Sequence, residues 1–163
     1  MNLITCILVT GIAATLSTDL WAIARKRLLA VPAPDYGLVG RWIAHMPHGR
    51  FRHAAIASAA PMRGERALGW SAHYLIGIAF AALVPLFLGA GWYHHPTAWQ
   101  ALLVGLGTVA APFLLMQPGM GAGIAASRTA RPGAARLHSV INHLVFGAGL
   151  YLSAALISPW VSP

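Results

Sequence analysis

The sequence predicts an all-α polytopic membrane protein with four transmembrane helices, arranged as two hairpins, and a further amphipathic helix in the first loop. Three observations predict this fold class. Of the 163 residues, 58% are apolar and only 9% are charged, against roughly a half and a quarter in soluble domains. Four apolar runs are long enough to cross a bilayer. All eleven lysines and arginines lie in two of the connecting regions between these runs.

The four apolar runs define the transmembrane spans, at about residues 3–24, 68–91, 99–117 and 138–157. Each run is close to the roughly 20 residues that cross about 30 Å of hydrocarbon. No basic residue precedes the first run and three follow it directly, which is the reverse of a cleaved secretory signal. We therefore interpret residues 1–163 as a single transmembrane domain, with a long cytoplasmic loop over residues 25–67.

The basic residues predict the orientation of the spans. Eight of them lie between Arg25 and Arg66, three lie between Arg128 and Arg136, and none lies elsewhere. By the positive-inside bias, both basic loops are cytoplasmic and both termini lie outside the cytoplasm. Aromatic residues mark the opposite interface, as an interfacial belt does; these are Trp92, Tyr93, Trp99 and Trp160.

The net charge of +8 indicates a lipid partner rather than a nucleic acid. In a soluble protein this charge would favour nucleic-acid binding, but here the arginines are those that the topology requires. The partners we expect are the bilayer and its anionic headgroups, which attract basic loop residues by about 1 kcal/mol each.

The first loop contains a predicted amphipathic helix. From Asp35 the chain reads DYGLVGRWIAHM, with apolar residues at helical spacing and Asp35 at the helix start. We expect this helix to lie in the headgroup plane with its apolar stripe toward the lipid. The stripe contains Leu38, Val39, Trp42, Ile43 and Met46.

Two short motifs resemble binding sites only superficially. The stretch HGRFRH from His48, with His45 nearby, offers imidazoles for a metal or phosphate but no cysteine or acidic ligand, so we favour a solvated interfacial turn. The stretch PGMGAG from Pro118 follows no strand and lacks nucleotide-loop spacing. We interpret it as a helix end and a turn.

The second and fourth spans contain a repeated motif. HYLIG at residues 73–77 and HLVFG at residues 143–147 align at an offset of 70 residues, which also aligns Arg66 with Arg136. The first and third spans match only weakly. We interpret the chain as two hairpins of the same direction, a parallel repeat.

Polar residues inside the spans form the candidate site. At about 1.5 Å per residue, Asp19, His73 and His143 each lie about 9 to 10 Å from the basic residue that borders their span. Charged groups at this depth cost several kcal/mol unless they face the bundle interior, pair or meet water. We therefore expect a convergent cluster near the cytoplasmic third of the membrane. Its candidate members are Asp19, His73, His143, Asn142 and Gln117.

Three chemical uses fit this cluster. A carboxylate beside two imidazoles can exchange protons near neutral pH, so the leading interpretation is movement or relay of a proton, cation or small solute. The same three side chains are ligand types for a divalent transition metal. Two histidines on different helices also suit a haem, with Gly77 and Gly147 leaving room for the ring. No cofactor follows from the sequence alone.

A structural interpretation stays open beside the functional ones. Asp19 is equally suited to pairing with an arginine at the interface, and each histidine to bonding across helices. The chain shows no arrangement typical of a catalytic nucleophile, which favours a non-enzymatic role. The alternative function is therefore a non-catalytic interaction or assembly subunit of the membrane.

Asp19 also resembles the embedded acidic residue of small four-helix multidrug exporters. Those exporters have glutamate there, and their aromatic motifs are absent from this chain. The one-sided distribution of basic residues disfavours an antiparallel pair formed by dual insertion, whereas a parallel homodimer stays open. Pro85 and Pro112 are expected to kink the second and third spans.

Three stretches resemble a known family. VGRWIAHMPHGRF from Val39, RGERALGWSAHYLIGIAF from Arg63 and RLHSVINHLVFGAGLYL from Arg136 are similar to a family of small bacterial inner-membrane proteins, a domain of unknown function. The resemblance runs over nearly the whole chain. It implies a four-helix fold in a bacterial inner membrane and brings no activity, substrate or cofactor.

Overall fold

Four long helical segments organise the structure, which is a computed structural model that describes residues 1–162. They are long and apolar enough to cross a membrane, and we call them spans 1 to 4. Their bounds are Leu3–Leu29, Glu65–Leu88, Ala98–Met120 and Pro132–Trp160. Within residues 1–162 no strand forms, so the predicted all-α fold with four such helices is confirmed.

The spans and the first loop are built from seven α-helices and one π-helix, with short 3-10 helices at the turns. In chain order the α-helices are α1 (Leu3–Leu29), α2 (Tyr36–His45), α3 (Glu65–Ala81), α4 (Leu83–Leu88), α5 (Ala98–Gly107), α6 (Gln117–Met120) and α7 (Pro132–Ile157). The π-helix is Pro112–Met116.

The helices at the basic loops extend further than the hydropathy pattern predicts. The predicted first span ends at residue 24, but α1 continues through Arg25 to Leu29 and stops where Ala30 takes a left-handed conformation, with φ 52°. Likewise, α7 begins six residues before the predicted start of the fourth span at residue 138. Charge marks where a span leaves the hydrocarbon, whereas a helix ends only where its backbone turns.

Two prolines coincide with breaks in spans 2 and 3. Pro85 has no N–H to donate to Ala81, four residues earlier, and α3 ends at Ala81 before α4 begins at Leu83. Pro112 has no N–H to donate to Thr108, and α5 ends just before Thr108. The predicted interruptions of the two spans therefore lie at the expected prolines.

The chain forms two compact units. The first comprises Met1–Ala33, Tyr74–Thr108 and the chain from Ile141 onward. The second comprises Pro34–His73 and Val109–Val140. Spans 2, 3 and 4 each contribute residues to both units, whereas span 1 belongs to the first alone.

In the first unit, neighbouring helices approach each other at small residues. A β-carbon added to Gly105 of α5 would lie 2.6 Å from the Cα of Gly147 of α7. A β-carbon added to Gly77 of α3 would overlap Thr15 Oγ1 of α1. Such close backbone packing is a main source of helix association in lipid. Spans 1 and 2, and likewise spans 3 and 4, therefore meet at the glycine of the repeated motif.

In the second unit, α2 packs against the start of α3. The Asp35 side chain accepts a hydrogen bond from the backbone N–H of Gly37 at 2.9 Å, which caps α2 as predicted. A β-carbon added to Gly40 would overlap the carbonyl oxygen of Glu65, so the two helices touch through backbone. The helix predicted in the first loop is confirmed. Trp42, however, was expected in a lipid-facing stripe and instead packs against Gly119 of α6.

Candidate functional site

Asp19 and Tyr74 form a hydrogen-bonded pair between spans 1 and 2. The Tyr74 hydroxyl donates to Asp19 Oδ2 at 2.8 Å, and both residues are half-buried. A phenol is neutral at ordinary pH, so this bond orients the carboxylate without cancelling its charge. Sequence analysis identified Asp19 but not Tyr74, although a tyrosine inside an apolar span needs a partner for its hydroxyl.

His143 is held by Thr108 between spans 3 and 4. His143 Nδ1 lies 2.7 Å from Thr108 Oγ1, and the same hydroxyl donates to the carbonyl oxygen of Gly105. A hydroxyl has one hydrogen. If Thr108 gives that hydrogen to Gly105, it must accept from a protonated Nδ1, and Nε2 of the neutral ring is left as an acceptor. The ring centroid of Phe80 lies 6.3 Å from the imidazole.

His73 belongs to the second unit and has aromatic neighbours there. Its ring stacks on Tyr36 of α2, with centroids 4.0 Å apart and an interplanar angle of 22°. Trp70 presents an edge at 5.9 Å. This contact joins α2 to the first part of span 2, so His73 has a packing role within its unit.

Gln117 and Asn142 each have a buried side-chain oxygen that receives no hydrogen bond from the described part of the chain. Gln117 Nε2 donates to Ser139 Oγ at 3.3 Å, but Gln117 Oε1 has no partner within residues 1–162. Asn142 Oδ1 likewise has no hydrogen-bond partner among the described residues. A buried acceptor without a donor costs about 1 to 3 kcal/mol, so each of these side chains lowers the stability of the fold.

The structure gives the three central residues separate described partners: Tyr74 for Asp19, Tyr36 for His73 and Thr108 for His143. Their convergence on a single site stays a prediction. Among the residues that the structure describes, no group of three or more histidine, cysteine, aspartate or glutamate side chains is placed to hold a metal ion.

The two repeated glycines do not leave space for a haem ring. A β-carbon at Gly77 would overlap Thr15, and one at Gly147 would lie 2.8 Å from the carbonyl oxygen of Ala101. Neighbouring helices therefore fill the volume that we assigned to a haem. That part of the expectation is wrong, because these glycines serve helix packing.

Arg41 and Glu65 form an ion pair in the second unit. Arg41 Nη2 lies 2.7 Å from Glu65 Oε1, and Nε lies 2.8 Å from Oε2, a bidentate arrangement. Arg41 Nη1 also donates to the carbonyl oxygens of Ala57 at 3.3 Å and Ala59 at 3.2 Å. The bond to Glu65 raises the pKa of Arg41. Arg41 thereby ties the first loop to the start of span 2.

The histidines of the first loop are less solvated than predicted. His45 is 5% exposed, and its Nε2 lies 3.0 Å from the carbonyl oxygen of Ala60. The ring of His53 meets His45 edge-on at 5.0 Å, and both ring nitrogens of His53 are buried without a partner in the described chain. The solvated turn is correct for His48 and Arg50, which are exposed, and wrong for His53.

Comparison with known protein families matches residues 8–157 to the family described as "Protein of unknown function (DUF2938)". No curated protein and no solved structure matches the chain. The match covers most of the sequence, including spans 2 and 3 in full, most of spans 1 and 4, and every residue of the candidate site.

Proposed function

Because the chain belongs to the DUF2938 family, which carries no assigned activity, we propose a function from its own residues: relay of a proton or small cation through an inner membrane. The observation that carries this proposal is the hydrogen bond of 2.8 Å from Tyr74 to Asp19. It holds the one acidic side chain inside span 1 against a neutral donor of span 2.

The chemistry of this pair suits reversible proton binding. A carboxylate within a span costs several kcal/mol, and such residues commonly mark ion or proton paths. When Asp19 takes up a proton its charge disappears, and when it releases the proton the Tyr74 hydroxyl again stabilises the anion. A bound monovalent cation can occupy the same carboxylate. The energetic cost of Asp19 therefore has a functional explanation.

His143 supplies a second group that can accept a proton in the same unit. The tautomer that Thr108 favours leaves Nε2 of the neutral imidazole with its lone pair. The unprotonated nitrogen of a neutral imidazole accepts a proton reversibly, so this ring can exchange protons with a carboxylate. We assign Asp19 as the primary site and His143 as the secondary acceptor.

We further propose a bacterial inner membrane with both termini outside the cytoplasm. The support is that all eleven basic residues lie either on the two loops that join spans 1 to 2 and spans 3 to 4 or at the span ends that border these loops. Cys6 is the single cysteine of the sequence and is buried, so introduced cysteines can be labelled without background. In intact cells, a membrane-impermeant maleimide should label His95→Cys at once and Arg50→Cys only after permeabilisation. The reverse labelling pattern would contradict this orientation.

A second candidate function is a non-catalytic interaction or assembly subunit. One observation favours it: both polar pairs join consecutive spans, Asp19–Tyr74 between spans 1 and 2 and Thr108–His143 between spans 3 and 4. Hydrogen bonds across helices stabilise such hairpins without any transport. This candidate predicts a stable hairpin pair and no ion movement.

Flux in vesicles separates the two candidates. The purified full chain is reconstituted into phospholipid vesicles that contain a pH-sensitive dye, and a pH gradient is imposed with the membrane potential clamped. We expect internal pH to change faster than in protein-free vesicles. Parallel runs with sodium or potassium gradients identify the ion. Equal rates with and without protein, for protons and both cations, would contradict the relay and favour the interaction subunit.

A further inference from the structure

Three buried hydrogen-bond donors that have no acceptor among the described residues lie together at one end of α1. Arg25 is only 4% exposed, and its Nε and Nη1 have no partner within residues 1–162. Trp21 Nε1 is also buried and unpartnered in the described chain. Trp21 and Arg25 are four residues apart on one helix, so their side chains are neighbours on the same face. Each orphaned donor costs about as much as a lost hydrogen bond.

Within residues 1–162 no carboxylate accepts a hydrogen bond from these donors. The sequence has three acidic residues, and the described partners of all three are elsewhere. Asp19 accepts from Tyr74, Asp35 caps α2, and Glu65 pairs with Arg41. A guanidinium buried without a counter-charge costs several kcal/mol of stability. An anion bound from outside the chain would offset this cost.

The chemistry of the donors restricts the ligand. Arginine and tryptophan side chains donate hydrogen bonds and accept none, so the ligand must present acceptor oxygens and negative charge. A guanidinium matches the oxygens of a phosphate in a bidentate manner. The exposed Lys26 and Arg27 add positive potential that outweighs the weak repulsion of anions by a helix C-terminus.

The position of Arg25 along α1 fits a phosphate at the membrane surface. Arg25 lies 22 residues after the start of the helix at Leu3, which is about 33 Å at 1.5 Å per residue. The hydrocarbon core is about 30 Å thick. A helix that enters the bilayer at Leu3 therefore brings Arg25 to the opposite headgroup layer.

We propose that Trp21 and Arg25 form a binding site for a phosphate group, taken from an anionic lipid headgroup or from a phosphorylated solute. This site differs from the general attraction of exposed loop arginines to lipid, because its donors are buried and fixed on one helix face. It is independent of the proposed ion relay, which uses Asp19, Tyr74 and His143.

The test uses the full chain in dodecyl maltoside, a detergent without phosphate. Native mass spectrometry and thermal unfolding are measured with dioleoylphosphatidylglycerol, with inorganic phosphate, and with digalactosyldiacylglycerol as a lipid that lacks phosphate. We expect one retained phosphatidylglycerol and a higher Tm for the wild type, and no such effect from the galactolipid. If inorganic phosphate acts equally well, the ligand is a free phosphate; if phosphatidylglycerol alone acts, it is a headgroup.

Two variants and one control connect the binding to the named donors. Arg25→Gln should weaken phosphate-ligand affinity by about tenfold or more, because it removes a charged donor. Trp21→Phe keeps the ring, removes only the N–H and should weaken affinity by about threefold to tenfold, which keeps the test valid if Arg25→Gln fails to fold. Arg27→Gln removes only an exposed charge that adds general positive potential and should weaken affinity by no more than about twofold. Equal binding by Trp21→Phe and wild type, equal loss in Arg27→Gln, or equal binding of the galactolipid would overturn the proposal.

Discussion

The two hairpins use the same glycine position for packing but hold different polar pairs. We call spans 1 and 2 the first hairpin and spans 3 and 4 the second. Gly77 meets span 1 at Thr15, and Gly147 meets span 3 at Ala101 and Gly105. The first hairpin then holds a carboxylate and a phenol, whereas the second holds a threonine hydroxyl and an imidazole.

The two hairpins therefore share their packing glycines and differ in their polar side chains. The repeated glycines are needed because helices in lipid associate through close backbone contact, and both hairpins need that contact equally. The acidic side chain appears in one hairpin only, although its cost in a membrane is the same in either. A repeat that keeps its packing and varies its polar groups supports our proposal that Asp19 has a function beyond packing.

The largest structural effect is expected from adding a methyl group to the second hairpin. Gly105→Ala would bring a β-carbon to 2.6 Å from Gly147 Cα and from the carbonyl oxygen of His143. Because both obstacles are backbone atoms, the helices must separate, at a cost of about 1 to 3 kcal/mol. Thermal unfolding in detergent should show a lower Tm. The matched control is Gly107→Ala, where the added methyl meets nothing within 4 Å; a similar loss there would contradict the packing argument.

The corresponding change in the first hairpin should be partly reversible. At Gly77 the nearest obstacle to a β-carbon is a side-chain atom, Thr15 Oγ1. Gly77→Ala should therefore lower the Tm, and the double variant Gly77→Ala with Thr15→Ala should recover part of the loss, since it removes that oxygen. Unfolding curves of both single variants and the double variant measure the recovery. An additive loss would show that the obstacle is backbone here too.

The two polar pairs should differ in their energy. Tyr74→Phe removes a donor to a carboxylate, and hydrogen bonds to charged groups contribute about 1.5 to 3 kcal/mol. Thr108→Val removes a neutral partner of His143, where about 1 kcal/mol is expected. A double-mutant cycle for each pair, with Asp19→Asn and His143→Gln as the second changes, measures both couplings. The distinction between the hairpins fails if the Thr108–His143 coupling is the larger.

The smallest effect is expected in the first loop, which has a docked helix that the second hairpin lacks. Arg41→Lys keeps the positive charge but removes the bidentate contact to Glu65 and the bonds to Ala57 and Ala59. The segment from Met46 to Arg63 should then open more often, with little change in global Tm. Faster tryptic cleavage after Arg50 or Arg52 measures this opening. Unchanged cleavage would show that Arg41 does not hold the loop.

The sequence predicts most of the fold because membrane constraints are local. The lengths of the apolar runs, the one-sided basic residues and the two prolines define the spans and their breaks. The ends at the basic loops are less predictable, since hydropathy does not report where α1 unwinds. The cap of α2 by Asp35 follows from residue type alone, but the packing of Trp42 on Gly119 requires the tertiary structure.

The sequence predicts which residues belong to the candidate site, but it does not predict which side chains bond to one another. Asp19 and His143 stand out because ionisable groups are rare in apolar runs. Their partners, Tyr74 and Thr108, depend on how each helix is rotated about its axis, which a weak amphipathic pattern does not determine. The burial of Arg25 could not be predicted, because a basic residue at the end of a span is ordinarily solvated.

Proton flux of the Asp19→Asn variant, expressed per folded molecule in vesicles, tests the central claim most directly. Asp35→Asn is the matched control, because it removes a carboxylate outside the spans and asparagine caps a helix as well as aspartate does. We expect a loss on the order of tenfold or more for Asp19→Asn, as for a lost proton-transfer group, and wild-type flux for Asp35→Asn. Wild-type flux from folded Asp19→Asn protein would contradict the claim.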